Sequence, residues 1–333
     1  MNERELMKLA ETLDEFSVSD YTVEEIRAKG MELAPLHITI GEADYRDGYD
    51  LTKDRFYELL TSSEEVPKTS QPTPQDFVAA CYYYYQHKLM TRFAELLGRD
   101  GEEYAAKTEQ LRDYINAKYL NRETGAYSVA KITAQALPLA LGLVPADMEK
   151  LVAARLNEAV VAAGYLCDFG LVGSKYALRM LVKYGYVDTA YKLATQTKIP
   201  SFGGWIEKGY TSPLERWSIG SGPRFGGAAS ANHVFFGDVA AWMQSDIAGI
   251  NYDETVPGFG HIVIRPHYPE GLEWAEASLR SVRGMIRSSW KREAGEIKLN
   301  VTIPINAKAT IYADKTYEVE GTGEEMTFVI AEK

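Results

Sequence analysis

The chain has 333 residues, 46% hydrophobic and 25% charged, the balance of an ordinary globular protein and not of a disordered or fibrous one. Its 36 Lys plus Arg against 47 Asp plus Glu leave a net charge of −11, which repels nucleic-acid phosphates and anionic lipid and excludes both as general partners. The longest apolar run, Ala159 to Cys167 with Gly164 admitted, is nine residues where a membrane span needs about 20, so no membrane segment is expected.

Residues 1–73 are the least legible. The opening Met-Asn-Glu-Arg-Glu-Leu-Met-Lys is a polar helical pattern without the apolar stretch of a secretion signal, and the compartment stays open. Two helices are expected at about 3–14 and 22–32, then a short apolar run at Leu36 to Ile40. An acidic stretch carrying Glu42, Asp44, Asp47 and Asp50 follows, then a helix at about 53–61. From Thr73-Pro74-Gln75-Asp76 the pattern sharpens. A hydroxyl, a proline and a carboxylate in succession mark a helix start, and apolar positions at Phe77, Cys81, Tyr85, Leu89, Phe93 and Leu96 lead to a stop at Gly98. Further helices are expected over about 102–120, 131–141, 148–163, 173–184 and 188–197. The stops at Gly98, Gly142 and Gly185 are 44 and 43 residues apart, which suggests stacked helical hairpins. After a loop with Gly220, Gly222, Gly226 and Gly227, a last helix is expected at about 230–250.

Beyond residue 260 the period changes to two. Ile297, Leu299, Val301 and Ile303 alternate with Lys298, Asn300 and Thr302, and Ile286, Ser288 and Trp290 precede them across a Glu293-Ala294-Gly295-Glu296 turn. With short runs at 261–265, 275–281, 308–312 and 326–330 this predicts a small antiparallel β-sandwich. The expected domains are 1–256, helical, and 257–333, the sandwich, divided near Val256-Pro257-Gly258.

Cys81 and Cys167 fall in apolar periodic segments and read as buried free thiols. The five histidines, His37, His87, His233, His261 and His267, make no ligand-spaced pair, so neither a metal nor a cofactor is expected. Gly220-Ser221-Gly222 follows no strand, and no Gly-x-Ser-x-Gly elbow occurs. The segment Trp205 to Trp217 remains, with Glu207, Glu215, Trp205 and Trp217 in a loop between helices. Aromatic faces beside carboxylates suit a sugar site. From spacing alone, packed core tryptophans and a salt bridge from Glu215 to Arg216 or another arginine are the favoured reading, and His233 on a first helical turn reads as a cap or a packed side chain.

Several pieces in order sharpen this. They are Gly170-Leu171-Val172-Gly173 before a helix; Leu193-Ala194-Thr195-Gln196-Thr197-Lys198-Ile199-Pro200-Ser201-Phe202-Gly203; Gly209-Tyr210-Thr211-Ser212-Pro213-Leu214-Glu215-Arg216-Trp217; Ser230-Ala231-Asn232-His233-Val234-Phe235-Phe236-Gly237-Asp238; and Pro257-Gly258-Phe259 with Ile262 to Pro266. Together they resemble the catalytic domain of bacterial α-L-rhamnosidases over roughly residues 70–330. The resemblance implies an (α/α)6-type helical barrel followed by a β-sandwich, acting with inversion on terminal α-L-rhamnosyl groups of oligosaccharides or glycosides. It implies Glu215 as general base, His233 as a contact of the sugar, Trp217 and Trp205 as aromatic neighbours of the substrate, and Asp44 in the place of a Gly-Asp-Trp substrate loop. Where the family usually shows a tryptophan just before the base, this chain has Leu214.

The family's general acid lies in an Arg-Asp-Glu-Arg-type segment followed by Gly-Trp, which does not occur in this sequence. Fewer than twelve helices are expected, so the barrel reads as incomplete, with its remaining part as a possible partner. The rival readings are a non-catalytic carbohydrate-binding remnant and a polysaccharide lyase on the same toroid.

Overall fold

The computed structural model describes residues 73–217 and 230–332, all within one compact unit, Leu60–Lys333. The expectations for the first 72 residues, Asp44 among them, and the glycine-rich loop lie outside the described residues.

Six helices come first: α1 Gln75–Leu96, α2 Glu102–Tyr119, α3 Ile132–Leu141, α4 Glu149–Ala162, α5 Leu171–Lys183 and α6 Val187–Thr195. A two-stranded ribbon, β1 Leu120–Asn121 and β2 Ala126–Tyr127, sits between α2 and α3. Gly98, Gly142 and Gly185 all have positive φ, 63°, 68° and 90°, which a residue without a Cβ adopts at little cost. Those are the turns that the spacing predicted.

α1 packs on α2, α3 on α4, α4 on α5 and α5 on α6, and α1 also packs on α3, α3 on α5 and α4 on α6. Odd-numbered helices thus form one layer and even-numbered ones an outer layer, the arrangement of helical hairpins laid side by side. Burial agrees: every residue of α3 except Ala140 is buried, as an inner helix requires. The ends of α3 and α5 meet at Gly173, where a Cβ would lie 2.4 Å from Thr133 Oγ1 and 2.5 Å from the Phe169 Cβ. Only glycine permits that approach, and it aligns the N-terminal turns of the two inner helices. Outside this core α1 leaves Tyr83, Met90, Phe93 and Leu96 exposed.

The expected helix at 230–250 is where the structure departs most from the sequence reading. Residues 230–233 are extended or bent, Val234–Phe236 is a single 3-10 turn, α8 is only Asp238–Trp242, and Met243–Ile247 forms a π-turn. The short helix α7, Phe202–Glu207, is capped by Ser201, whose Oγ accepts from Gly204 N–H at 2.9 Å.

The β region has two four-stranded sheets. One has the order β10-β7-β6-β5 (Glu325–Ala331, Glu296–Thr302, Gly284–Glu293, Trp274–Ser281) and is antiparallel throughout. The other, β3-β4-β8-β9 (Ile250–Tyr252, His261–Ile264, Lys308–Tyr312, Thr316–Glu320), contains a parallel pair, β4 with β8. That pair brings residues 47 apart in sequence side by side, which alternation within a strand does not announce. The buried Ser288 and Trp290 of β6 donate to Ala248 O and Ile247 O at 2.5 and 2.9 Å. The sandwich is therefore bonded directly to the end of the π-turn. Gly249 (φ 86°) makes the crossing, since a Cβ there would lie 2.3 Å from Pro266 N.

Cys81 and Cys167 are free and buried. Burial pushes the Cys81 thiol up to about 12 and Cys167 further still, so both are inert at neutral pH. Among the described residues no helix is long and apolar enough to cross a membrane.

Candidate active site

The site is built where two loop segments run side by side. Residues 212–215 leave α7 after Gly209, whose φ of 81° reverses the chain. They pair with 230–233 through four bonds. Ser212 Oγ donates to Ala231 O at 2.7 Å, His233 N–H to Pro213 O at 2.9 Å, Glu215 N–H to Ser230 O at 2.9 Å, and Ser230 N–H to Glu215 Oε2 at 2.8 Å. The last two form a closed ring between Glu215 and Ser230, in which one carboxylate oxygen is held by a backbone donor. That fixes the direction of a half-buried carboxyl group. Among the described residues its other oxygen makes no hydrogen bond.

His233 sits two residues beyond Ala231 on the facing segment and is the N-cap of the 3-10 turn. Its Nδ1 accepts the Phe235 N–H at 3.2 Å, and its ring lies 3.8 Å from that of Phe235. Since Nδ1 accepts, the neutral ring carries its proton on Nε2. The cap therefore leaves Nε2–H as a donor on a half-buried ring. The capping reading and the binding reading do not compete, because they use different nitrogens.

Trp205 and Trp217, expected as neighbours of the substrate, are 4% and 2% exposed. They stack on each other at 4.7 Å and 22°, inside a cluster with Phe169, Phe202 and Phe236. Both indole N–H groups are spent internally: Trp205 Nε1 donates to Trp217 O at 2.9 Å and Trp217 Nε1 to Phe169 O at 2.6 Å. The rings thus form the rigid base on which Glu215 stands, two residues from Trp217, rather than an open stacking surface. Leu214 is also buried, at 1%, so the side chain just before Glu215 points into the core.

One charged pair escaped the sequence reading. Lys131, the N-cap position of α3, meets Asp168, just before α5, at 3.2 Å, with side chains 33% and 18% exposed. Asp168 is next to Phe169, whose carbonyl receives the Trp217 indole, so this pair borders the same shelf at the N-terminal ends of the inner helices. The two residues are 37 apart in sequence, and no local pattern joins them. Among the described residues no group of three or more His, Cys, Asp or Glu could hold a metal ion.

Hairpins of inner and outer helices, a carboxylate fixed in a loop at their N-terminal ends and an attached β-sandwich together define a six-hairpin glycosidase architecture with its C-terminal β domain. Residues 42–247 match the bacterial alpha-L-rhamnosidase 6 hairpin glycosidase domain, and residues 249–327 match the bacterial alpha-L-rhamnosidase C-terminal domain. The chain belongs to the bacterial alpha-L-rhamnosidase family.

An alpha-L-rhamnosidase of Streptomyces avermitilis is 30% identical over 293 residues, 86% of this chain and 27% of that protein. The crystal structure of a Streptomyces avermitilis alpha-L-rhamnosidase complexed with L-rhamnose matches with a TM-score of 0.68 at 27% identity, covering 84% of this chain and 29% of that one. The alpha-L-rhamnosidase structure from Dictyoglumus thermophilum matches with a TM-score of 0.67 at 28% identity, covering 80% and 32%. The chain thus spans between a quarter and a third of the length of these relatives.

Proposed function

We propose that this domain works in the inverting hydrolysis of terminal α-L-rhamnosyl residues, with Glu215 as the general base that takes a proton from the attacking water. The observation that carries this reading is the ring between Glu215 and Ser230, which holds a half-buried carboxyl group in one direction above a rigid aromatic shelf. A base must be held in one direction to deprotonate a water, and the Ser230 N–H holds one oxygen of this carboxyl group in place. His233 supplies the Nε2–H donor for a sugar hydroxyl, and Trp205 and Trp217 act by holding the loop. Leaving-group protonation requires a second carboxyl group about 6.5–9.5 Å away; no described side chain is assigned that role.

The test follows hydrolysis of an aryl α-L-rhamnoside by proton NMR, with calorimetric titration of L-rhamnose alongside. The expected first product is the β-anomer of L-rhamnose. Glu215→Gln should lower kcat by about 10²–10⁴-fold, the range for loss of a general base, while L-rhamnose still binds. An α-anomer released first, or unchanged turnover in Glu215→Gln, refutes the assignment. L-rhamnose binding with no turnover identifies a non-catalytic sugar-binding domain, and an unsaturated product absorbing in the ultraviolet identifies a lyase.

A further inference from the structure

The solvent face of the sheet β10-β7-β6-β5 carries a hollow that the proposed chemistry does not use. Residues two apart on a strand share a face. In register, Trp274 of β5 stands opposite Lys291 of β6, and Lys291 opposite Lys298 of β7; the next row on that face is Glu276, Ser289 and Asn300. These six side chains border a hollow of about 260 Å³, slightly below the ~300–1,000 Å³ of sites that take drug-sized ligands. Its size suits a single small ring.

The indole is the anomaly. Trp274 is 61% exposed, whereas Trp205, Trp217, Trp242 and Trp290 are 2–4% exposed. An exposed indole bordered by hydroxyl, carboxamide, carboxylate and ammonium groups offers a flat apolar face together with donors and acceptors at its rim, the mixture that a pyranose ring presents in return. The carboxamide is oriented: Thr327 Oγ1 donates to Asn300 Oδ1 at 2.8 Å, which leaves Nδ2 as the outward donor. Charge narrows the ligand further. Lys291 is bridged to Glu293 at 3.0 Å, and Lys298 shares the hollow with Glu276, so two cations are matched by two anions. A balanced floor favours a neutral ligand over a polyanion.

We infer that this hollow is an accessory carbohydrate site for one neutral pyranose unit of a glycan. The C–H face of the sugar lies on Trp274, and its hydroxyls meet Glu276, Lys298 and Asn300. The site would hold the β domain against a polymeric or oligomeric glycan, separately from the chemistry at Glu215. It does not depend on the catalytic reading.

Because the other four indoles are buried, iodide quenching of tryptophan fluorescence in the full chain reports on Trp274. The probes are methyl α-L-rhamnopyranoside, methyl β-D-galactopyranoside and methyl α-D-glucopyranoside, each titrated into wild type, Glu215→Gln, Trp274→Ala and Asn300→Ala. At least one glycoside should protect Trp274 from iodide, equally in wild type and Glu215→Gln. By calorimetry the same glycoside should bind Asn300→Ala and Trp274→Ala about tenfold or more weakly, the order expected when an aromatic or oriented polar contact is lost. Aryl-rhamnoside turnover, where present, should be unchanged in Trp274→Ala. Three results overturn the inference: no glycoside protects Trp274; Trp274→Ala binds as tightly as wild type; or protection grows with protein concentration without sugar, which assigns the face to a second copy of the chain.

Discussion

Gly173→Ala pits two known effects against each other at the junction that supports the site. Helix propensity alone favours alanine by about 1 kcal/mol in a helix interior. Against it stands the new Cβ, 2.4 Å from Thr133 Oγ1 and 2.5 Å from the Phe169 Cβ. Neither atom is the far end of a flexible side chain: Thr133 is β-branched and buried, and a Cβ moves only with its backbone. Overpacking of this kind costs about 1–3 kcal/mol, and two blocked directions place it at the upper end. The net expectation is a loss of about 2 kcal/mol, or a Tm lower by roughly 4–8 °C for a unit of this size.

The strain should also travel, because the Phe169 carbonyl anchors the Trp217 indole, and Glu215 stands two residues from Trp217. Thermal melts followed by circular dichroism give the Tm. A second variant, Thr133→Ala in the Gly173→Ala background, removes one of the two close atoms and should recover part of the loss in a non-additive way. A Gly173→Ala chain that melts higher than wild type refutes the claim that close approach, rather than loop chemistry, selects glycine there.

His233→Ala removes the proposed Nε2–H donor and should weaken L-rhamnose binding by about 1–3 kcal/mol, as for a desolvated hydroxyl left without its partner; equal calorimetric affinity of both forms would leave His233 as a cap alone. Asp246 gives a pH signature. Burial raises its carboxyl above the ordinary range, with the Ser245 hydroxyl, Arg179 and His267 opposing the shift. The folded state therefore holds this proton more tightly than the unfolded state, and stability falls as pH rises from the ordinary carboxyl value through the raised one. Asp246→Asn should melt higher than wild type at neutral pH, with the gap closing in acid; a gap constant with pH contradicts the assignment. Any turnover by this chain should favour aryl glycosides with activated leaving groups over natural rhamnosides, since the former depart without a proton. Rates that do not depend on leaving-group acidity would point to an acid within the chain.

Helices α1 to α6 were legible because each is bounded by local chemistry. A glycine or proline follows each of them within a few residues except α2, and apolar residues recur on one face whatever the rest of the molecule does. The β-sandwich strands from 261 onward were legible for a similar reason, since alternation is a property of each strand alone. The stretch 230–250 was misread because its apolar spacing suits a helix, while its actual path is set by bonds to distant residues. Pro213 O and Glu215 hold 230–233 extended, and Trp290 and Ser288 of the sandwich dock on its far end. The strand β3 starts at Ile250, the last residue of the expected helix, and β9, whose Tyr317 and Val319 alternate with Thr316, Glu318 and Glu320, was not among the expected strands.

The candidate site divides along the same line. Glu215 and His233 could be named from sequence, because a resemblance in order and spacing reaches them without knowledge of their surroundings. That Glu215 is clamped by Ser230, that Trp205 and Trp217 spend their faces and N–H groups on the interior, and that Lys131 meets Asp168 all depend on contacts between residues 12 to 48 apart in sequence. Local propensity and periodicity act over one turn or one strand, so the sequence by itself determined which residues form helices and strands and which residue types are available for chemistry. Hydrogen bonding and burial between distant segments are satisfied only once the chain has packed, so the tertiary structure alone decided which of those side chains are buried and which hold the others in place.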